Sequence, residues 1–138
     1  MLSMRHDRSQ RKGRRGATAV EFALTAPIFF LFLLAAFEFG WLNVIRHTAD
    51  NAAYEAARSA MVPGATAAEA LTKANRLLST VGARGANITV TPDPVTTQTK
   101  QVTVAIEIPM NRNGLIAPRF TSKTTISAKS TLRTERAE

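Results

Sequence analysis

Residues 16–41 read GATAVEFALTAPIFFLFLLAAFEFGW, and they decide the architecture. Sixteen residues from Phe22 to Phe37 separate two carboxylates, Glu21 and Glu38, and only Thr25 and Pro27 interrupt the apolar run between them. As a helix rising about 1.5 Å per residue, that run covers about 24 Å, a little short of a bilayer core of about 30 Å. With its flanks, Ala17 to Ile45, it is long enough to span. A charge inside such a segment costs roughly 2.5 to 3.5 kcal/mol at the helix centre and less near an end, so Glu21 calls for a use.

The residues before this stretch, MLSMRHDRSQRKGRRG, carry Arg5, Arg8, Arg11, Lys12, Arg14 and Arg15 against one acid, Asp7. They contribute +5 of the formal +8, leaving +3 for the other 122 residues. The high pI therefore reports topology rather than a nucleic-acid surface, and no nucleic-acid partner is expected. By the positive-inside rule, residues 1–16 form a basic cytoplasmic leader, 17–45 a transmembrane helix and 46–138 an exported domain of 93 residues. There is no cysteine, and the two histidines are His6 in the leader and His47 beside the span. A disulfide framework is excluded, and no metal site, cofactor or Ser-His-Asp arrangement is expected, so the chain reads as a non-enzyme.

Beyond the span the helical period continues. Ala49, Ala52, Ala53, Ala56, Ala57 and Ala60 recur at three- and four-residue spacing, which predicts one long helix from about Ala17 to Met61 whose alanine face packs on the protein's own sheet. Pro63-Gly64 ends it. Thr66-Ala-Ala-Glu69 has the form of a capping box before Leu71, Ala74, Leu78 and Val81, predicting a second helix over roughly 67–81 closed by Gly82. After Gly85 the period becomes two: residues 87–91, Val102 to Ile108 and Thr124 to Leu132 alternate as strands. The expected class is α+β, a long N-terminal helix followed by a short helix and a three-stranded antiparallel meander. Glu38, Phe39 and Gly40 precede Trp41 at what reads as the outer membrane interface, with Glu38 solvated and Trp41 in an aromatic belt.

The N-terminal pattern admits three readings: a signal peptide cut beyond Ala36, a plain membrane anchor, and a class III signal cut before the apolar run. The residues Arg14-Arg15-Gly16-Ala17, Val20-Glu21-Phe22-Ala23-Leu24, Pro27, Phe39-Gly40 and Ala52-Ala53-Tyr54-Glu55-Ala56-Ala57-Arg58 resemble the TadE-like family, minor pilins (pseudopilins) of the tight-adherence (Tad/Flp) type IV pilus system. The resemblance covers about residues 14 to 58. It implies a pilin-like fold and a role in assembling a pilus for surface adherence. It further implies cleavage by a prepilin peptidase between Gly16 and Ala17, with other pilins, the inner-membrane assembly platform and the membrane as partners. Glu21 then becomes the fifth residue of the mature chain, and Phe22 stands where the major pilins of this system carry tyrosine. Glu21, Phe22 and Pro27 are the expected assembly residues: Glu21 sets register against a neighbour's new amino terminus, and Pro27 frees the carbonyl of Ala23 and loosens the helix. The alternative from another class is a single-pass, membrane-anchored periplasmic binding or adhesion module that is never assembled, and a weaker one is a secreted enzyme.

Overall fold

A computed structural model describes residues 9–96, 98–115 and 118–133, with side chains from residue 16 onward. The first half of the basic leader, residues 1–8, and all the leader's basic side chains lie outside the described residues. Five regular elements and one short turn of 3-10 helix follow in order: α1 Ser9–Ala60, α2 Ala67–Ser79, β1 Asn87–Thr91, β2 Gln101–Pro109, the turn Met110–Arg112, and β3 Thr125–Arg133. The architecture is α+β, with a long apolar N-terminal helix, a short second helix and an antiparallel sheet of order β1-β2-β3. The chain divides into two compact units, residues 1–36 and 37–138.

In the first unit the described residues are helical throughout. Val20, Phe22, Leu24, Ile28, Phe29, Phe30 and Phe32 are all exposed, so this stretch buries none of its large apolar side chains against the protein. Pro27 lies inside the helix. The hydroxyl of Thr25 donates to the carbonyl of Glu21 at 2.9 Å, so the polar group of that residue is satisfied within its own helix.

The second unit is built on the alanine stripe. Ala49, Ala52, Ala53, Ala56 and Ala57 are 0 % exposed, and with Ile45 and Ala60 they give α1 a wall of small residues. Alanine serves twice there, having the highest helix propensity and letting a neighbouring element approach closely. Val102, Val104, Ile106 and Ile108 alternate inward along β2, with Ile126 and Ala128 of β3, and one buried cluster joins them to the alanine wall and to Ala70, Ala74 and Leu78 of α2. Each fully buried valine, leucine or isoleucine contributes about 1.5–3 kcal/mol. Register follows from the alternation: Val104 faces Val90 on one side and Ser130 on the other. A slip of one residue would turn the β2 aliphatics to water.

The caps are local consequences of the sequence. The amide of Glu69 donates to the Thr66 hydroxyl at 3.3 Å, opening α2. At its far end the amide of Ala83 donates to the carbonyl of Leu78 and that of Gly82 to Ser79, the paired bonds of a Schellman close. Gly82 has φ +63°, the left-handed backbone this close needs.

Candidate functional site

Two groups of residues stand out, one in each unit, and each is described by itself.

In the first unit Gly16 and Ala17 lie within α1 as an exposed, continuous part of the helix. A side chain added at Gly16 would meet nothing within 4 Å. Helical order here is weakly supported: glycine costs about 1 kcal/mol relative to alanine. Arg11, Lys12, Arg14 and Arg15 also belong in sequence to the N-terminal turns of α1, where the helix dipole disfavours cations, and there is no acid in the first turn. Glu21 stands one helical turn past Ala17, exposed, and among the described residues no side chain pairs with its carboxylate. Phe22 beside it is 68 % exposed. The helix thus brings the Gly16–Ala17 junction and Glu21 to within about 6 Å of axial rise, since one turn is 5.4 Å. Pro27 follows a turn and a half later with its ring exposed.

The second group is one that sequence reasoning missed. Glu38 is half-buried rather than simply solvated. One carboxylate oxygen accepts from the amide of Phe120 at 2.9 Å and from both the amide and the hydroxyl of Thr121 at 2.7 Å. The other accepts from the amide of Arg119 at 3.2 Å. Three consecutive backbone N–H groups therefore converge on one anion, the geometry of an anion nest. Phe39 meets Phe120 with ring centroids 6.4 Å apart. Trp41 also differs from the belt residue expected, for its indole N–H donates to the carbonyl of Asn113 at 2.8 Å.

Asn113 is the second missed residue. It is buried, its side-chain oxygen accepts from the amide of Arg84 at 2.7 Å, and its side-chain nitrogen donates to the carbonyls of Arg84 and Pro109. It thereby ties the α2–β1 connection to the end of β2. The signal for Glu38 was available in the periodicity: positions 38, 41, 42, 45 and 49 continue one helical stripe toward the core, and a carboxylate on such a stripe needs donors. No local signal marks Asn113, whose partner Arg84 is 29 residues away.

Among the described residues, one helix is long and apolar enough to cross a membrane by length and composition, within Gly16–Ala60. Compared with known proteins, residues 16–58 match the family described as TadE-like protein. The match begins on Gly16, takes in Glu21, Pro27, Glu38 and the alanine wall as far as Ala57, and stops before α2 and the sheet. No curated protein matches the chain, and no solved structure does. Residues 16–58 are thus similar to the TadE-like family, and among the described residues that stretch carries an apolar helix long enough to anchor the chain in a membrane.

Proposed function

We propose that this chain is a minor pilin, or pseudopilin, of a Tad/Flp-type pilus, a structural component rather than an enzyme. It is held in the inner membrane by the apolar part of α1, with the basic leader in the cytoplasm and the domain that begins where the apolar run ends, at Phe37, exported. A prepilin peptidase cuts between Gly16 and Ala17, and the assembly platform then brings the mature chain together with other pilins for surface adherence.

The observation that carries this reading is the exposed Glu21 one turn beyond the Gly16–Ala17 junction, which pairs with no side chain among the described residues and lies on a helix segment whose large apolar side chains are exposed. A plain anchor has no use for that carboxylate. Cleavage gives it one: Ala17 acquires an ammonium, and two opposite charges that are separately costly in an apolar bundle become tolerable as a pair. On one helix the two groups are a turn apart, and between neighbouring helices the same pair sets axial register. Phe22 supplies apolar contact beside the pair. Pro27 leaves the carbonyl of Ala23 without its helical donor, a soft point in a helix that must leave lipid for a filament.

The test is the mass of the mature amino terminus. Protein extracted from the membrane of cells with an active prepilin peptidase should begin at Ala17. Retention of Met1 in such cells would sink the pseudopilin reading in favour of an anchored module, and a start beyond Ala36 would point to a secreted protein.

A further inference from the structure

The segment between β2 and β3 is fixed to α1 at the point where the apolar run ends. Phe37 closes that run, and the next residue, Glu38, collects the amides of residues 119–121. Trp41 holds Asn113 at the other side of the same segment. Its base is pinched as well: a side chain on Gly114 would come within 2.4 Å of the Pro118 ring. These ties fix Asn113 and residues 119–121 as a platform, with Thr121 1 % exposed beneath it.

What the platform presents outward is apolar and basic. Phe39 is 51 % exposed, Phe120 48 % and Leu115 52 %. From Pro109 to Thr124 the chain carries Arg112, Arg119 and Lys123 and no acid. The nearest described carboxylate bound to the segment, Glu38, has its oxygens taken by backbone and hydroxyl donors, so it is turned toward the segment's own amides. Exposed aromatic rings flanked by cations are the composition of a surface that lies in the headgroup region of a membrane, rings in the acyl boundary and cations at the phosphates.

We propose that Phe39 and Phe120, with Arg119 and Lys123 beside them, form a lipid-interface contact that lays the exported domain against the outer face of the membrane before assembly. The occupant is lipid because the patch is continuous in sequence with the apolar run, beginning two residues after Phe37. The inference rests on the reading of that run as a membrane span. The Glu38 clasp gives it its mechanism: residues 119–121 are held in advance, so contact with lipid costs little further loop entropy there.

The absence of cysteine makes single-site labelling clean. Nitroxide labels would be placed on the full chain by Leu115→Cys, by Phe32→Cys in the apolar run, and by Ser127→Cys on the exposed side of β3, in vesicles of phosphatidylcholine with and without phosphatidylglycerol. The expected result is that the Leu115 label, like the Phe32 label, collides with oxygen more readily than with a water-soluble nickel complex, while the Ser127 label does the reverse. Phosphatidylglycerol should move the Leu115 label deeper, and Arg119→Gln with Lys123→Gln should abolish that shift. A water-exposed Leu115 label beside a lipid-exposed Phe32 label overturns the contact and leaves the anchor standing. Water exposure at both sites overturns the anchor and the contact together. A Leu115 label shielded only at high protein density, in either vesicle, overturns the lipid occupant in favour of a second copy.

Discussion

Both the backbone amide and the side-chain hydroxyl of Thr121 donate to the same oxygen of Glu38, each at 2.7 Å. The two residues are 83 positions apart, and Thr121 is almost completely buried. A carboxylate at the mouth of an apolar helix is thus used as an acceptor for a returning loop. Glu38→Ala leaves three amides and a buried hydroxyl without their acceptor, so the melting temperature of the detergent-solubilised protein, followed by circular dichroism, should fall. Glu38→Gln should fall less, since one oxygen remains to accept while the introduced NH2 faces donors. An unchanged melting temperature in Glu38→Ala would show that the clasp contributes nothing to stability.

Asn113 carries a comparable duty in the core. Asn113→Ala leaves the amide of Arg84 and the carbonyls of Arg84 and Pro109 unpaired, at about 2–4 kcal/mol for a buried network. Asn113→Asp keeps an acceptor for the Arg84 amide but turns an oxygen toward two carbonyls, and should be at least as damaging. Urea unfolding of the two variants checks both the size and the ranking.

Glycine positions separate steric need from backbone need. Gly114→Ala forces the Pro118 ring aside and should cost about 1–3 kcal/mol, as overpacking does. Gly82→Ala meets no atom within 4 Å, yet must hold φ near +63°, a strain of about 1 kcal/mol. Gly16→Ala meets nothing and, lying within α1, should not lower thermal stability. The same unfolding assay orders the three.

On the alanine wall, Ala53→Leu or Ala56→Leu inserts a large side chain where exposure is 0 % and should cost at least about 1–3 kcal/mol. Tyr54, on the opposite side and 47 % exposed, should tolerate Ala within about 0.5 kcal/mol. Limited proteolysis of the detergent-solubilised chain should show early cutting in the first pair alone.

Processing and assembly should come apart at Glu21. Gly16→Leu should leave the chain inserted and uncut. Glu21→Ala should be cut but should lose co-purification with partner pilins by about a hundredfold or more, the loss expected when one member of a buried ion pair is stranded. A processed Glu21→Ala protein that co-purifies and supports piliation as the unmodified chain does would defeat the register-pair mechanism.

The elements whose signals are local were legible in the residues. The alanine spacing, the Thr66 cap, Gly82 and the alternation of Val102 to Ile108 place α1, α2 and the three strands, because period and capping act over a few residues. Helix α1 begins earlier than expected, at Ser9 rather than about Ala17, since nothing in the leader forbids helical backbone. Glu38 and Trp41 were read as interface residues because hydropathy alone describes the side facing lipid. Their partners, residues 119–121 and Asn113, are brought to them after the chain has passed through α2 and two strands, which no window of neighbouring residues contains.

From Ala49 to Ala60 the buried side of α1 offers a covering sheet almost nothing but methyl groups. A shelf of uniform low bumps has no deep hole that demands one partner shape; it accepts any flat array of branched aliphatic side chains at the right spacing. The TadE-like match ends at Arg58, two residues short of the end of that helix, and every strand lies outside it. Helix α1 therefore works as a standard socket: the outward face of the sheet, Thr89, Thr103, Lys129 and Thr131 here, can be rewritten for a different surface without disturbing Gly16, Ala17 or Glu21.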